Sequence, residues 1–371
     1  MVPSDRCEDP GITPGVGPSK GSALITSFPS ESGHGQVAAA LYELKMLEAL
    51  VLFKFRRGDS ERGFTKVVKP RWSLGGSAVL ASIYFPSVWG RDIRKYTWAH
   101  LCSPHFFHLV RENPNLTGII HDVGYLAKRA LSNSPIGYRY LFSKEITMAP
   151  RLKGIVTVSQ TTQRRLKEIN PDLETTVIHN WTSEAFRVRD SKGARRLLGL
   201  PLDRKIILSV GLDIPRKNID ILPHLASALG DKYVIVRIGQ TDRIFRAFPQ
   251  GSIMSFPSVP NEAYPLFFNA ADMLAFPSID EGFGVPLIEA INSGTPIVAS
   301  DIPIFREVLK GTGFLAPPND LDRWAEACRN ISERFPDRER SKGLYRGIGD
   351  YYRASRARGQ YMEFFRRAGL G

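Results

Sequence analysis

Cysteine is scarce: three in 371 residues, Cys7, Cys102 and Cys328. With no C-x-x-C pair among them, neither a disulfide scaffold nor a structural zinc site is suggested. So few thiols fit a reducing compartment, and the chain reads as cytosolic. Long apolar runs are missing too. None approaches the roughly 18–20 residues that cross a bilayer, and the start of the chain has no secretory hydrophobic region. Residues 1–20 are instead rich in Pro and Gly and read as a loose extension. Lys and Arg are absent from residues 251–300, which hold five acids, a balance of −5. No module signature for nucleic-acid binding is present.

What the chain has is ordinary globular composition, 43% hydrophobic and 23% charged, which excludes disorder and fibrous repeats for most of its length. It also has a surplus of positive charge: 50 Lys and Arg against 37 Asp and Glu leave +13. Residues 51–100 carry ten Lys and Arg against three acids, and residues 351–371 carry five against one. Such a surface suits nucleic acid, an anionic membrane or plain solvation, and composition does not choose among them.

Short apolar runs recur between amphipathic stretches. Ala23–Phe28, Leu50–Phe55, Val79–Phe85, Gly118–Asp122, Ile155–Ser159 and Thr176–His179 predict strands in the first half. Lys205–Gly211, Tyr233–Gly239, Met273–Pro277 and Pro296–Ser300 do so in the second. Their unbroken Val/Ile/Leu content predicts strands covered on both faces of a parallel sheet. Helical patterns lie between several of them, at Gly35–Leu50, Ser159–Ile169, Ile219–Leu229 and Pro286–Ser293. The alternation predicts an α/β chain of two doubly wound Rossmann-like domains with the active site in the cleft between them. The basic stretch Arg187–Arg204 reads as a linker, giving units at 21–188 and 189–348 and a final basic amphipathic helix over 349–371.

The most informative segment is Met273–Val308. A strand ends at Phe276, a loop carries Asp280-Glu281-Gly282-Phe283-Gly284, and a helix starts at Val285 or Pro286, where proline is well tolerated. Seven residues separate Glu281 in the loop from Glu289, about one turn inside the helix. Gly282 and Gly284 permit close backbone approach, and free N–H groups at the helix start favour an anion such as a diphosphate. Taken alone, Glu281 would read as a charge complementing the helix dipole and Glu289 as a partly exposed helix residue. Placement around Gly-Phe-Gly-Val-Pro after a strand is more specific. Arg216 and Lys217 likewise suit two phosphates at a strand end, or in isolation a solvated basic loop. A cluster of His100, Cys102, His105 and His108 fits no common zinc spacing and reads as helical packing.

This segment resembles the donor-binding signature, with its paired Glu motif, of the retaining GT-B glycosyltransferases of family 4. Other stretches agree in order. Val210-Gly211-Leu-Asp-Ile-Pro215-Arg216-Lys217-Asn218 resembles the family's strand and loop with a basic pair. Val156 to Leu166 and Val177-Ile-His-Asn180 resemble the segments closing its N-terminal domain. Ile120-His121-Asp122 resembles its His-bearing strand end, and Ser32-Gly33-His34-Gly35-Gln36 its first glycine loop, with His34 a departure. The resemblance runs from about residue 21 to the end and is densest over 205–320.

The resemblance implies a retaining hexosyltransferase that needs no metal and no cofactor. A nucleotide-diphosphate sugar serves as co-substrate, and a mannose- or glucose-type hexose passes to a saccharide acceptor. It implies catalytic roles for His121, Arg216, Lys217 and Glu281, and donor-binding roles for Gly35, Gly211, Gly282, Phe283, Gly284, Val285 and Glu289. The last helix of such enzymes returns to the first domain, which would join the two basic regions into one surface. The basic and aromatic residues between Arg56 and Trp98, Trp72 and Trp89 among them, suit a membrane interface. The expectation is therefore a lipid-linked saccharide acceptor, peripheral contact with an anionic membrane at its inner face, and no nucleic-acid partner. The alternatives are an inactive nucleotide-sugar-binding protein and another GT-B enzyme such as a disaccharide synthase.

Overall fold

Thirteen parallel strands in two sheets organise the part of the chain that the computed structural model describes: residues 19–26, 41–42, 46–53, 65–68, 90–123, 143–240, 244, 247–336, 341 and 343–370. The first sheet contains β1 (Ser19–Thr26), β2 (Leu47–Phe53), β3 (Lys66–Val68), β4 (Trp98–Leu101), β5 (Leu116–Ile120), β6 (Gly154–Thr157) and β7 (Thr176–Val177). Their spatial order is β3-β2-β1-β4-β5-β6-β7. The second contains β8 (Lys205–Val210), β9 (Tyr233–Ile238), β10 (Ile253–Phe256), β11 (Met273–Phe276), β12 (Ile297–Ser300) and β13 (Phe314–Ala316), in the order β10-β9-β8-β11-β12-β13. Both orders reverse direction once, between β1 and β4 and between β8 and β11, the doubly wound pattern that opens a crevice at the reversal. Two doubly wound sheets are what the strand patterning predicts, and the fold is GT-B, as the resemblance implies.

Helices cover the sheets. Those used below are α1 (Gln160–Ile169), α2 (Ser191–Leu198), α3 (Ile221–Leu229), α4 (Tyr264–Ala270), α5 (Val285–Asn292), α6 (Pro303–Leu309), α7 (Leu321–Arg334) and α8 (Ala354–Arg367). Strands β5, β9, β11 and β12 are buried at every position, as expected of strands covered on both faces. One hydrophobic cluster is continuous from Leu24 and Val156 of the first sheet, through Tyr352, Tyr361 and Phe365, to Leu274 and Phe276 of the second. Helix α8 is the bridge. Its Phe365 ring lies 4.8 Å from Trp98 and 5.4 Å from His100 in β4.

Several sequence expectations need correction. The helical pattern over Gly35–Leu50 runs too far, since β2 begins at Leu47. There the β-branched and leucine content of Leu47–Phe53 outweighs helical periodicity. The basic stretch after Arg187 is not all linker. It holds α2, capped by the Asp190 carboxylate at one end and by left-handed Gly199 at the other. Ser19 and Lys20 belong to β1 rather than to a loose extension. The His100 cluster is not helical throughout. His100 lies in β4, and His105 and His108 lie in a 3-10 turn, Pro104–Arg111. Strands β3, β4, β10 and β13 were not foreseen. The predicted strand Val79–Phe85, the Gly33–Gly35 loop, and Trp72 and Trp89 lie outside the described residues.

Candidate functional site

The loops after β8 and β11 flank the reversal point of the second sheet, and both carry predicted site residues. Gly211 directly follows β8 with φ 132°, a backbone region that side chains disfavour. The chain then makes a 3-10 turn at Pro215–Lys217, closed by left-handed Asn218. This turn is tied to the β11 loop, because the Ile279 amide donates to the Arg216 carbonyl at 2.8 Å. Arg216 Nη1 reaches Glu281 Oε2 at 2.9 Å and the Asp280 carbonyl at 3.2 Å. Lys217 Nζ bonds the other oxygen, Glu281 Oε1. Three residues foreseen at one site are therefore in direct contact.

The electrostatics follow from burial. Burial alone would push the Glu281 carboxyl up, but the Lys217 and Arg216 charges together outweigh it and hold it below its usual value. Burial pulls Lys217 down, against the opposing field of Glu281. Two cations share one carboxylate, so a net positive charge remains beside the loop. The arrangement suits an anionic ligand.

Glu289 sits one turn inside α5 and is 7% exposed. The Tyr264 hydroxyl of α4 donates to its Oε2 at 3.0 Å. Burial pushes the Glu289 carboxyl up to about 8, with the Tyr264 bond pulling the other way. Gly284 caps α5 in a left-handed conformation, φ 93°, where a β-carbon would crowd the Phe305 ring at 3.0 Å. Val285 opens the helix. Phe283 is buried, its ring 5.7 Å from that of His179.

The first sheet closes on this loop. The Gly282 carbonyl accepts from Ser159 Oγ at 2.9 Å and Thr162 Oγ1 at 3.2 Å, both at the start of α1. Arg165 Nη1 pairs with Asp280 Oδ1 at 2.6 Å. His121 follows β5, and its carbonyl oxygen and the Asp122 β-carbon lie against Gly282. His121 thus approaches the Glu281 loop from the opposite sheet. Gly35 lies outside the described residues. The other predicted site residues lie in these two loops, at the end of β5, and, for Val285 and Glu289, on α5 directly after the second loop.

Sequence reasoning missed some neighbours. Glu307 of α6 accepts from the Gln160 and Thr161 amides at 2.7 and 2.9 Å and pairs with His179 Nε2 at 2.9 Å. It joins the two sheets by filling unsatisfied donors at the start of α1. Arg237, 0% exposed in β9, donates to the Gly211 carbonyl. Its signal was present in the sequence as one cation inside the apolar run Tyr233–Ile238. The His100 group turns to separate partners: His100 Nδ1 meets Thr117 Oγ1 at 2.9 Å, His105 meets Ser103, and His108 Nδ1 meets Glu145 at 2.8 Å. Among the described residues no three His, Cys, Asp or Glu side chains are arranged to hold a metal.

Residues 190–342 match the family Glycosyl transferases group 1. Over 247 residues the chain is 28% identical to the O-antigen chain mannosyltransferase RfbU of Salmonella typhimurium, covering 64% of this chain and 65% of that protein. The structure is similar to sucrose-phosphate synthase from Thermosynechococcus elongatus, with a TM-score of 0.75 at 19% identity over 93% of this chain and 98% of the other. It is also similar to Anabaena Alr3699/HepE in complex with UDP-glucose, with a TM-score of 0.74 at 14% identity over 92% and 98%.

Proposed function

With a group 1 glycosyltransferase segment on a GT-B fold as the premise, we propose that this protein is a retaining glycosyltransferase. It moves a mannose- or glucose-type hexose from a nucleotide-diphosphate sugar to a saccharide acceptor. The observation that carries this reading is the contact of Arg216 and Lys217 with Glu281 at the mouth of α5, with Glu289 one turn behind.

In this reading the positive surplus of the Arg216–Lys217–Glu281 group receives the diphosphate and offsets charge developing on the leaving phosphate. Glu281 and the Gly282–Gly284 backbone accept and donate to sugar hydroxyls, and Glu289 accepts from the ribose diol. His121, brought up by the first sheet, contacts the donor sugar. Transfer with retention proceeds on one face of the donor, the leaving phosphate assisting removal of the acceptor proton. The two cations supply the charge compensation, so no metal is required, and activity should survive a chelator.

The acceptor is proposed to be a lipid-linked saccharide met at an anionic membrane on its cytoplasmic side. The kinship with an O-antigen chain mannosyltransferase and the exposed Arg353, Arg356, Arg366 and Arg367 support this reading. Of the aromatics expected at that surface, Trp98 is buried against Phe365 of α8, while Trp72 and Trp89 lie outside the described residues. Among the described residues no helix is long and apolar enough to cross a membrane.

The test is a panel of nucleotide-diphosphate hexoses with saccharide acceptors, read as nucleoside diphosphate release and as product anomer by NMR. Transfer with retention is expected. Donor binding without transfer would point to a binding protein, transfer to free sugar to a disaccharide synthase, and inversion would overturn the mechanism. Flotation with anionic vesicles tests the membrane contact, which predicts binding that falls with salt.

A further inference from the structure

Strand β9 reads Tyr-Val-Ile-Val-Arg-Ile, and all six residues are buried. Arg237 is the exception in kind. It is 0% exposed, and its cross-strand partners are two small residues, Ser209 of β8 and Ser255 of β10. Their size leaves room for a guanidinium where a valine or leucine would otherwise sit. Nη2 donates to the Gly211 carbonyl and Nη1 to the Ile238 carbonyl at 3.2 Å, while Nε is buried with no hydrogen-bond partner. No carboxylate pairs with it among the described salt bridges, although the field of Asp213 acts on it.

The surroundings are shaped around this side chain. A β-carbon on Gly239 would lie 2.1 Å from the Gly211 carbonyl oxygen and 3.4 Å from Arg237 Nη2, so only glycine fits there. On Gly211 itself a β-carbon would point to Lys217, 3.7 Å from Cε and 4.0 Å from Nζ. Arg237, the Gly211 turn and Lys217 are therefore consecutive neighbours, and Lys217 leads to Glu281.

A buried charge is costly unless something compensates it, and arginine does not escape by losing its proton. Burial pulls Arg237 down to about 10, which leaves it charged at neutral pH. An aliphatic side chain would fill the same place in the strand without that cost. Two backbone carbonyls satisfy part of the fork. Among the described residues no salt bridge to a carboxylate neutralises it, and it stands behind the β8 turn that leads to Lys217.

We propose that Arg237 is a positioning residue of the donor site, a fixed cation beneath Gly211 that holds the β8 turn and adds a third positive charge toward a nucleoside diphosphate. The inference rests on the donor reading above and deepens it. Arg237 acts through the Gly211 backbone and through its field rather than by touching the sugar. It favours the diphosphate over a monophosphate of the same base, because the second phosphate brings the extra negative charge.

The experiment compares binding of UDP and GDP with UMP and GMP to the full chain by calorimetry, for wild type, Arg237→Met, Arg237→Gln and Arg237→Lys. Melting temperatures identify the folded variants. In the uncharged variants the diphosphate-to-monophosphate affinity ratio falls about tenfold or more, and donor KM rises more than kcat falls. Arg237→Lys keeps the ratio to within about threefold. A folded Arg237→Met or Arg237→Gln chain with the wild-type ratio overturns the inference, leaving Arg237 a structural tie. If neither uncharged variant folds, loss of the ratio in Arg237→Lys overturns the role of charge. Wild-type protein that binds no nucleoside diphosphate overturns the donor reading itself, a result distinct from unchanged ratios in the variants.

Discussion

A β-carbon on Gly282 would lie 1.8 Å from the carbonyl oxygen of His121. The loop of one sheet and the strand end of the other meet backbone to backbone, and only glycine allows it. Gly282→Ala must part the Glu281 loop from β5, which by the usual cost of overpacking lowers stability by about 1–3 kcal/mol. The larger effect falls on activity, since His121 and Glu281 then no longer face one site. Denaturant unfolding together with donor turnover checks both. Full turnover in Gly282→Ala would mean that this approach is dispensable.

Glu281 is the shared anion of Arg216 and Lys217, and the side chains of Glu281 and Lys217 are 8% and 14% exposed. Removing the carboxylate leaves a largely buried cation unpaired. Glu281→Ala should cost about 3 kcal/mol, the low end for breaking a buried pair. Lys217→Met in the same chain should recover part of that loss. A double-mutant cycle in urea measures the coupling, and additive losses would contradict the paired arrangement.

Glu289 and Tyr264 set a pH dependence. Burial raises the Glu289 carboxyl to about 8, so at neutral pH the protonated form dominates, whereas a ribose diol is held by the carboxylate. Nucleoside diphosphate affinity should rise with pH, by up to about tenfold per unit, and level off above about 8. The Tyr264 bond favours the carboxylate form, so Tyr264→Phe moves the plateau to higher pH. Calorimetry between pH 7 and 9.5 reads both curves, and flat affinity in the wild type would contradict the ribose role.

His100 governs acid stability. It lies in β4, 0% exposed against the Tyr361, Phe364 and Phe365 rings of α8, and burial pulls its pKa from 6.5 down to about 3. The folded chain binds fewer protons at His100 than the unfolded chain between those values. Stability therefore falls as pH drops below about 6.5, by at most about 1.4 kcal/mol per unit from this group, and the loss ends near 3. His100→Leu should flatten urea midpoints measured between pH 6 and 4.

Much of this was legible in the residues, and the gaps have physical causes. Buried parallel strands announce themselves by short, mostly apolar runs, which is why the bounds expected for β8, β9 and β11 agree with the structure to within a residue or two. Strands of three or four residues such as β13 carry too few positions to show a period, and β4 was obscured by its histidine. The loop around Glu281 was readable because glycines, carboxylates and a helix start fall at fixed offsets. Tyr264 and Glu307 were not readable, because their roles arise from contacts across 25 to about 150 residues of chain. Arg237 was visible as a charge in an apolar strand, but its direction toward Gly211 exists only in the fold.

The central claim is that Arg216, Lys217 and Glu281 form the site at which a nucleotide-diphosphate sugar is cleaved. Nucleoside diphosphate release, measured with saturating donor and acceptor for wild type, Glu281→Gln and Lys217→Met, tests it most directly. The account predicts release by the wild type and a loss of about a hundredfold or more in each folded variant. Wild-type rates in either folded variant would contradict it.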